Sequence, residues 1–262
     1  MKPRLSVRER LSVRRALIGL IQTHPNPPLA EMAGMCGYDF LMLDCEHGWF
    51  SEMELLQTMQ AIGSTEIAAL VRLRGHDLQA LGRYMDMGVD GIIVPNVGTA
   101  DQARALVRAM VYPPAGTRGF AAPAHRASGY GLNLAAHMKS PRDRVCLVVI
   151  IESGEGVANA ADIAAVEGVD GVFIGPADLS ADLGCAGDYT QPAYQEALAR
   201  IERAANRCGK LVGTAPHPGQ PLEALVARGY RLLIVSGDMP LIREAMSDDV
   251  AKAKSCLEGG QA

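Results

Sequence analysis

Eight short apolar runs, separated by helical patterns, govern what this chain can fold into. They fall at Ala16–Ile21, Phe40–Asp44, Ile67–Arg72, Gly91–Pro95, Cys146–Ile151, Gly171–Ile174, Leu211–Gly213 and Leu232–Ser236. Most are continuous rather than alternating, the pattern of parallel strands covered on both faces. The segments between them carry helix signals. Ser51 precedes Glu54, and Thr99 precedes Gln102, at capping-box spacing. Asp77 opens a helix that stops at Gly88, Pro192 starts one running from Gln191 to Cys208, and Pro221 starts another ending at Gly229. Eight strand–helix units in 262 residues close most simply into an α/β (β/α)8 barrel, read here as one domain over residues 1–262. The rival, an open doubly wound sheet, usually carries a glycine-rich phosphate turn after an early strand, and this sequence has none.

Composition removes several function classes. The net charge is −4 and the pI about 5.9, with no basic stripe for nucleic acid. No run of 18 or more apolar residues occurs, so no membrane span is expected. The first 17 residues hold six basic residues and one acidic residue, without the apolar centre of a signal peptide. Their Arg and Ser content has a faint transit-peptide character, but a short basic helix closing the bottom of the barrel is the preferred reading. The cysteines at 36, 45, 146, 185, 208 and 256 have no CxxC spacing. They read as buried free thiols of a cytoplasmic protein. Gly88-Val89-Asp90-Gly91 and Gly168-Val169-Asp170-Gly171 read as turns at the barrel bottom. The strandless stretch from Tyr112 to Arg144 reads as a functional loop or subunit contact.

In such a barrel, chemistry gathers at the C-terminal strand ends. Strand two ends in Asp44, with Glu46 and His47 beyond; an acid beside an imidazole can fix its tautomer and raise its basicity. Arg72 ends strand three, and an arginine there requires an anion, either substrate or an internal carboxylate such as Glu46 or Glu152. Glu152 and Asp178 follow strands five and six. Two carboxylates without a thiolate suit a hard divalent cation, although each has an alternative as a helix cap or turn residue. Asn96 and Ser236-Gly237-Asp238 complete the strand tips, and His24 and His217 fall after strands one and seven. The five lysines, Lys2, Lys139, Lys210, Lys252 and Lys254, avoid the strand tips, so no Schiff-base lysine is apparent.

These residues resemble the HpcH/HpaI aldolase family, the metal-dependent class II pyruvate aldolases. The resemblance rests on Gly37-Tyr38-Asp39-Phe40 with Asp44-Cys45-Glu46-His47, on Val71-Arg72, and on Asp86-Met87-Gly88 with Ile93-Val94-Pro95-Asn96-Val97. It continues through Tyr112–Gly119 and Ile151-Glu152 to the long run Val166–Ser180, and spans about residues 16 to 240. It implies a (β/α)8 TIM barrel assembled as a homotrimer or homohexamer, with C-terminal helices exchanged between subunits. It implies a divalent metal (Mg²⁺ or Mn²⁺, with Co²⁺ as a further candidate) on Glu152 and Asp178, and pyruvate chelating that metal. Arg72 would bind the keto or enolate oxygen, and His47, oriented by Asp44, would handle protons. Gly175, Pro176 and Ala177 would help hold the pyruvate carboxylate.

The implied reaction is reversible cleavage of a 4-hydroxy-2-oxo acid to pyruvate and an aldehyde. The alternatives are an acyl-CoA lyase like malyl-CoA or citrate lyase, an oxaloacetate decarboxylase, and a non-catalytic barrel. Two departures bear on specificity. Ile150 stands where relatives often carry glutamine, and the end of strand one lacks the tryptophan that many have. Arg118, His125 and Arg126 are candidates for an anionic aldehyde tail, with surface or interface ion pairs as the alternative.

Overall fold

A computed structural model describes residues 5–139, 142 and 144–259. Helix α1 (Val7–Val13) precedes the first strand. The strands are β1 (Leu17–Gln22), β2 (Phe40–Asp44), β3 (Ala68–Arg72), β4 (Gly91–Val94), β5 (Cys146–Ile151), β6 (Gly171–Ile174), β7 (Leu211–Thr214) and β8 (Leu232–Gly237). After β1 to β4 come α2 (Pro27–Met35), α3 (Glu52–Ala61), α4 (Leu78–Met87) and α5 (Ala100–Ala109). Helix α6 (Leu134–Lys139) lies in the long connection to β5, which is followed by α7 (Gly154–Ala158) and α8 (Ala160–Ala165). Helices α9 (Pro176–Asp182) and α10 (Pro192–Arg207) follow β6, α11 (Leu222–Ala227) follows β7, and α12 (Asp238–Gly259) follows β8.

The strands form a closed parallel barrel in sequence order, β1 pairing with both β2 and β8. The expected strands are all present, three with the expected bounds and the others with ends moved by one residue. Pro95 falls outside β4, and β7 gains Thr214, whose hydroxyl donates to the Ile174 carbonyl at 3.0 Å. Both anticipated capping boxes form, Ser51 with Glu54 and Thr99 with Gln102, and Asp77 caps α4.

Two apolar layers hold the barrel. The larger lies between strands and helices; the smaller fills the interior with Leu17, Phe40, Met42, Leu70, Ile93, Val148, Ile150, Phe173 and Ile234. Close approach inside requires glycine at two places. A Cβ on Gly19 would lie 2.3 Å from the Phe40 ring, and one on Gly213 would lie 2.6 Å from the Phe173 ring. Helix α1, closed by a Ser6–Glu9 capping box, plugs the lower end by adding Val7 and Leu11 to the inner layer.

The same end is fastened by a repeated device. The carboxylates of Asp39, Asp90 and Asp170 accept the N–H groups of Ile18, Ala69 and Leu147, each on the preceding strand. Gly88 and Gly168 have φ of +83° and +95°, so the two Gly-Val-Asp-Gly segments are left-handed turns into strands, as expected.

The cysteine reading needs correction. Cys45 and Cys146 are buried and free, but Cys36, Cys208 and Cys256 are exposed. They stand at helix ends or on α12 rather than in strands, so apolar neighbours in sequence did not mean burial.

Candidate active site

Side chains alternate along a strand, so two residues beyond an interior residue lies another that faces the barrel axis. Above Met42, Leu70 and Ile150 this rule places Asp44, Arg72 and Glu152, and above Phe173 it places Gly175. The apolar layer is therefore the floor of a polar mouth. Ile150, 1% exposed, belongs to that floor, which gives Glu152 no polar neighbour from below on its own strand.

Asp44 and Arg72 are register partners at the ends of β2 and β3. The Arg72 guanidinium grips the fully buried Asp44 carboxylate with two hydrogen bonds, Nε to Oδ1 at 2.9 Å and Nη2 to Oδ2 at 2.7 Å. Asp44 Oδ1 also accepts the backbone N–H groups of Glu46 (3.0 Å) and His47 (3.3 Å). This corrects the expected Asp44–imidazole pair. A carboxylate followed by a tight turn is satisfied by the turn's own amides, and its remaining capacity goes to the neighbouring strand. Asp44 thus positions the His47 backbone, whereas the His47 side chain, 64% exposed, sits with Nε2 3.8 Å from Glu46 Oε2.

Glu46 also faces Arg72, Nη1 to Oε2 at 3.3 Å. Burial raises the Glu46 pKa, against the opposing charges of Arg72 and His47. For Arg72, burial acts to lower the pKa, but Asp44, then Glu46 and Glu152, raise it above the usual value. The guanidinium is permanently charged and held on two sides.

Glu152 is 7% exposed, and its Oε1 accepts the Asn96 N–H at 2.7 Å. Asn96 has φ of +49°, a left-handed conformation that asparagine tolerates and that accompanies this amide bond. Burial lifts the Glu152 pKa to about 7; the charges of Asp178 and Glu46 push the same way, and the Asn96 bond and Arg72 oppose them. Gly175, at the start of α9, is a cradle for the same carboxylate, since a Cβ there would lie 2.2 Å from Glu152 Oε2. Asp178 occupies the first turn of α9, exposed to the mouth. Glu46, Arg72, Glu152 and Asp178 therefore act electrostatically on one another.

Among the described residues no group of three or more His, Cys, Asp or Glu side chains is set to enclose a metal ion. Mg²⁺ and similar hard cations need less from the protein: one or two carboxylates, with waters or substrate oxygens completing the shell. The crowding of negative charge on Glu152 is what a dication would relieve. The Glu152–Asp178 donor set fits an open divalent site.

Several contacts escaped the sequence. Asp238, 2% exposed, accepts the Thr23 N–H (3.0 Å), the Thr23 hydroxyl (2.9 Å) and the His24 N–H (2.9 Å), tying the β8 end to the β1 loop. The Trp49 N–H donates to the Thr23 carbonyl at 2.9 Å, tying the β2 loop to the same segment. Gln22 secures the carbonyls of His24 and Asn26 from beneath. His217 does not face the mouth freely: its ring nitrogens lie 3.1 Å from the Tyr194 hydroxyl and 2.9 Å from the Pro218 carbonyl. Lys210 binds the carbonyls of Val166 and Val169 at the barrel bottom.

Arg118, His125 and Arg126 are not brought to the mouth of their own barrel. The long loop leaves from the end of α5 and returns to the start of β5, so it packs at the opposite end. Arg118 pairs with Asp86 at 2.6 Å, with His125 Nδ1 2.8 Å from the same carboxylate. Arg126 donates to the carbonyls of Met87 and Met59 at the ends of α4 and α3.

Comparison with known proteins agrees with this fold. The family model described as HpcH/HpaI aldolase/citrate lyase matches residues 18–239. A hydroxypyruvate/pyruvate aldolase of Delftia acidovorans is 38% identical over 253 residues, covering 96% of this chain and 94% of the relative. A 2-keto-3-deoxy-L-rhamnonate aldolase of Escherichia coli is 33% identical over 252 residues, covering 96% and 94%. Among solved structures, an HpcH/HpaI aldolase/citrate lyase family protein from Burkholderia cenocepacia superposes with a TM-score of 0.88 at 29% identity, covering 95% of this chain and 98% of that one. The citrate synthase SbnG gives 0.86 at 26%, covering 97% and 99%. The chain with this barrel, and with these carboxylates around an arginine at its mouth, belongs to the HpcH/HpaI aldolase/citrate lyase family.

Proposed function

We propose that this chain is a divalent-metal-dependent pyruvate aldolase that reversibly cleaves a 4-hydroxy-2-oxo acid to pyruvate and an aldehyde. The observation that carries the reading is a mouth in which Glu152 lies against Gly175 at the start of α9, with Asp178 in that helix's first turn and the fixed Arg72 guanidinium at the end of β3. Glu152 and Asp178 would hold Mg²⁺ or Mn²⁺, with Co²⁺ as a further candidate. When bound, such an ion supplies Lewis acidity at the pyruvate keto oxygen.

The rest is supplied by the chain. Transfer of a methyl proton to the His47 imidazole would build negative charge on the pyruvate oxygen. Arg72, fixed by Asp44 and Glu46, presents a preorganised positive charge to that oxygen. His47 exchanges the proton of the 4-hydroxyl, its exposed imidazole reaching substrate from the rim. In the Gly175–Ala177 turn Pro176 has no N–H, which leaves the amides of Gly175 and Ala177 for the pyruvate carboxylate.

The two aldolase relatives support this reading by name. Oxaloacetate decarboxylation passes through the same enolate and is the expected side reaction. An acyl-CoA substrate fits less well, because Arg72 is engaged by Asp44 and Glu46, and Arg74 by the carbonyls of Cys45 and Phe50. Among the described residues no helix is long and apolar enough to cross a membrane. We place the protein in the cytoplasm as one aldolase domain in a homotrimer or homohexamer. The exposed Met246, Val250 and Leu257 of α12 support a helix covered by a neighbouring copy.

The deciding experiment is exchange of pyruvate methyl protons in D₂O, with Mg²⁺ or Mn²⁺ and again with EDTA. Exchange that requires metal supports the aldolase. Its absence with every metal rules out pyruvate enolisation and turns attention to an acyl-CoA substrate.

A further inference from the structure

The one tryptophan of the chain, Trp49, stands two residues beyond His47 on the same loop. It is 73% exposed, an unusual position for an indole, and yet it is not loose. Its backbone is pinned to Thr23. Gly48 makes that approach possible, because a Cβ there would lie 2.1 Å from the Asp44 carbonyl and 2.6 Å from that of Thr23. One side of the indole packs on the His24 ring, with centroids 4.6 Å apart. His24 is braced in turn, its N–H on Asp238 and its Nδ1 2.9 Å from the Thr23 hydroxyl. Three loops of the mouth thus hold one aromatic surface open to solvent, a preorganised apolar face at the rim.

The charges around it are lopsided. Asp44, Glu46, Glu152, Asp178 and Asp238 all stand at strand ends of this mouth. Arg72 faces Asp44 and Glu46, and Arg74 turns Nε and Nη2 to the carbonyls of Cys45 and Phe50 while keeping its charge. Even with Arg72, Arg74 and a dication on Glu152 and Asp178 counted, these carboxylates and that of bound pyruvate leave the mouth net negative, which disfavours an aldehyde carrying a carboxylate or phosphate.

We propose that Trp49, braced by His24, walls the aldehyde subsite and selects an uncharged aldehyde with an aromatic substituent. This deepens the aldolase reading and rests on it. In the addition direction the pyruvate methyl carbon gives up one proton and bonds to the aldehyde carbon, while the aldehyde oxygen gains one proton. That oxygen belongs near His47, so the substituent on the aldehyde carbon extends along the loop towards the indole. A flat ring stacks there, a short hydroxyalkyl group leaves the surface largely uncovered, and an anion is repelled.

The test measures kcat/KM for pyruvate addition to benzaldehyde, glycolaldehyde and succinic semialdehyde, in the wild type, Trp49→Ala and Trp49→Phe. The wild type should prefer benzaldehyde to succinic semialdehyde by about tenfold or more. Trp49→Ala should lower the benzaldehyde-to-glycolaldehyde ratio by about tenfold, and Trp49→Phe should keep most of it. A ratio reads the subsite and is insensitive to a general loss of active protein. Because Trp49 is the one indole, its emission gives a second reading without any variant. Benzyl alcohol, added to the pyruvate-loaded enzyme, should cause a saturable blue shift, and succinate none.

Equal use of the anionic aldehyde would overturn the proposal, as would a ratio that Trp49→Ala leaves unchanged or an emission blind to benzyl alcohol. Absence of metal-dependent pyruvate exchange in the wild type would instead remove the aldolase reading itself, and this inference with it.

Discussion

Replacing Asp44 separates two ideas of what its carboxylate does. In the structure Oδ1 takes three hydrogen bonds, from the Glu46 and His47 amides and Arg72 Nε, and Oδ2 takes one, from Arg72 Nη2. Asp44→Asn can keep the three at Oδ1, but it removes the charge and sets an amide nitrogen against Nη2. At an effective dielectric constant of about 20, charges 2.7 Å apart attract by about 6 kcal/mol, and those at the 3.3 Å Glu46 separation by about 5 kcal/mol. Glu46 therefore spares Arg72 from becoming an uncompensated buried charge. The cost of Asp44→Asn belongs at the low end for a broken buried pair, about 3 kcal/mol. Asp44→Ala also strands two backbone amides at about 1 kcal/mol each, bringing its cost to about 5 kcal/mol. Urea unfolding at one fixed protein concentration measures both. Pyruvate exchange should fall in both, since Arg72 loses its fixed position. If Asp44 served only the His47 imidazole, Asp44→Asn would depress exchange and leave stability intact. A loss under about 1 kcal/mol, or equal losses for Asn and Ala, would refute the reasoning.

Three further outcomes are expected. His47→Ala should slow aldol cleavage by about 10²–10⁴-fold while calorimetric metal affinity persists; unchanged turnover would remove His47 from proton transfer. Gly175→Ala should weaken metal binding by about 10–100-fold, because its Cβ displaces Glu152 Oε2, and an unchanged titration would contradict the cradle. Asp238→Ala should cost about 3 kcal/mol and speed hydrogen exchange at Thr23 and His24, where three bonds are lost; retained protection would show another tether.

The barrel was legible because each strand is a short apolar run with its own boundary signal, and capping boxes such as Ser51–Glu54 are local. The membership of Asp44, Arg72 and Glu152 in one mouth was legible from their places at strand ends. Their partners were not. Asp44 and His47 are close in sequence, which suggested a side-chain pair, but the turn's own amides compete for the carboxylate at that spacing. The true partner lies 28 residues away, at the matching end of the next strand. The Asp238–Thr23 tether joins residues 215 apart and depends on closure of β8 onto β1, which no local pattern reports. The long loop misled for a simpler reason. It begins after a helix rather than a strand, so chain order already assigned it to the end opposite the mouth.

The facing of Gly19 by Phe40, and of Gly213 by Phe173, has a consequence for how such a chain can diverge. Neither glycine can acquire a side chain while its aromatic neighbour keeps its size, and shrinking the aromatic alone opens a void. Each pair is a lock whose two halves are encoded far enough apart to mutate independently. Lineages should therefore cross from one interior packing to another by compensated double changes. The floor beneath the carboxylates should change in pairs rather than one residue at a time.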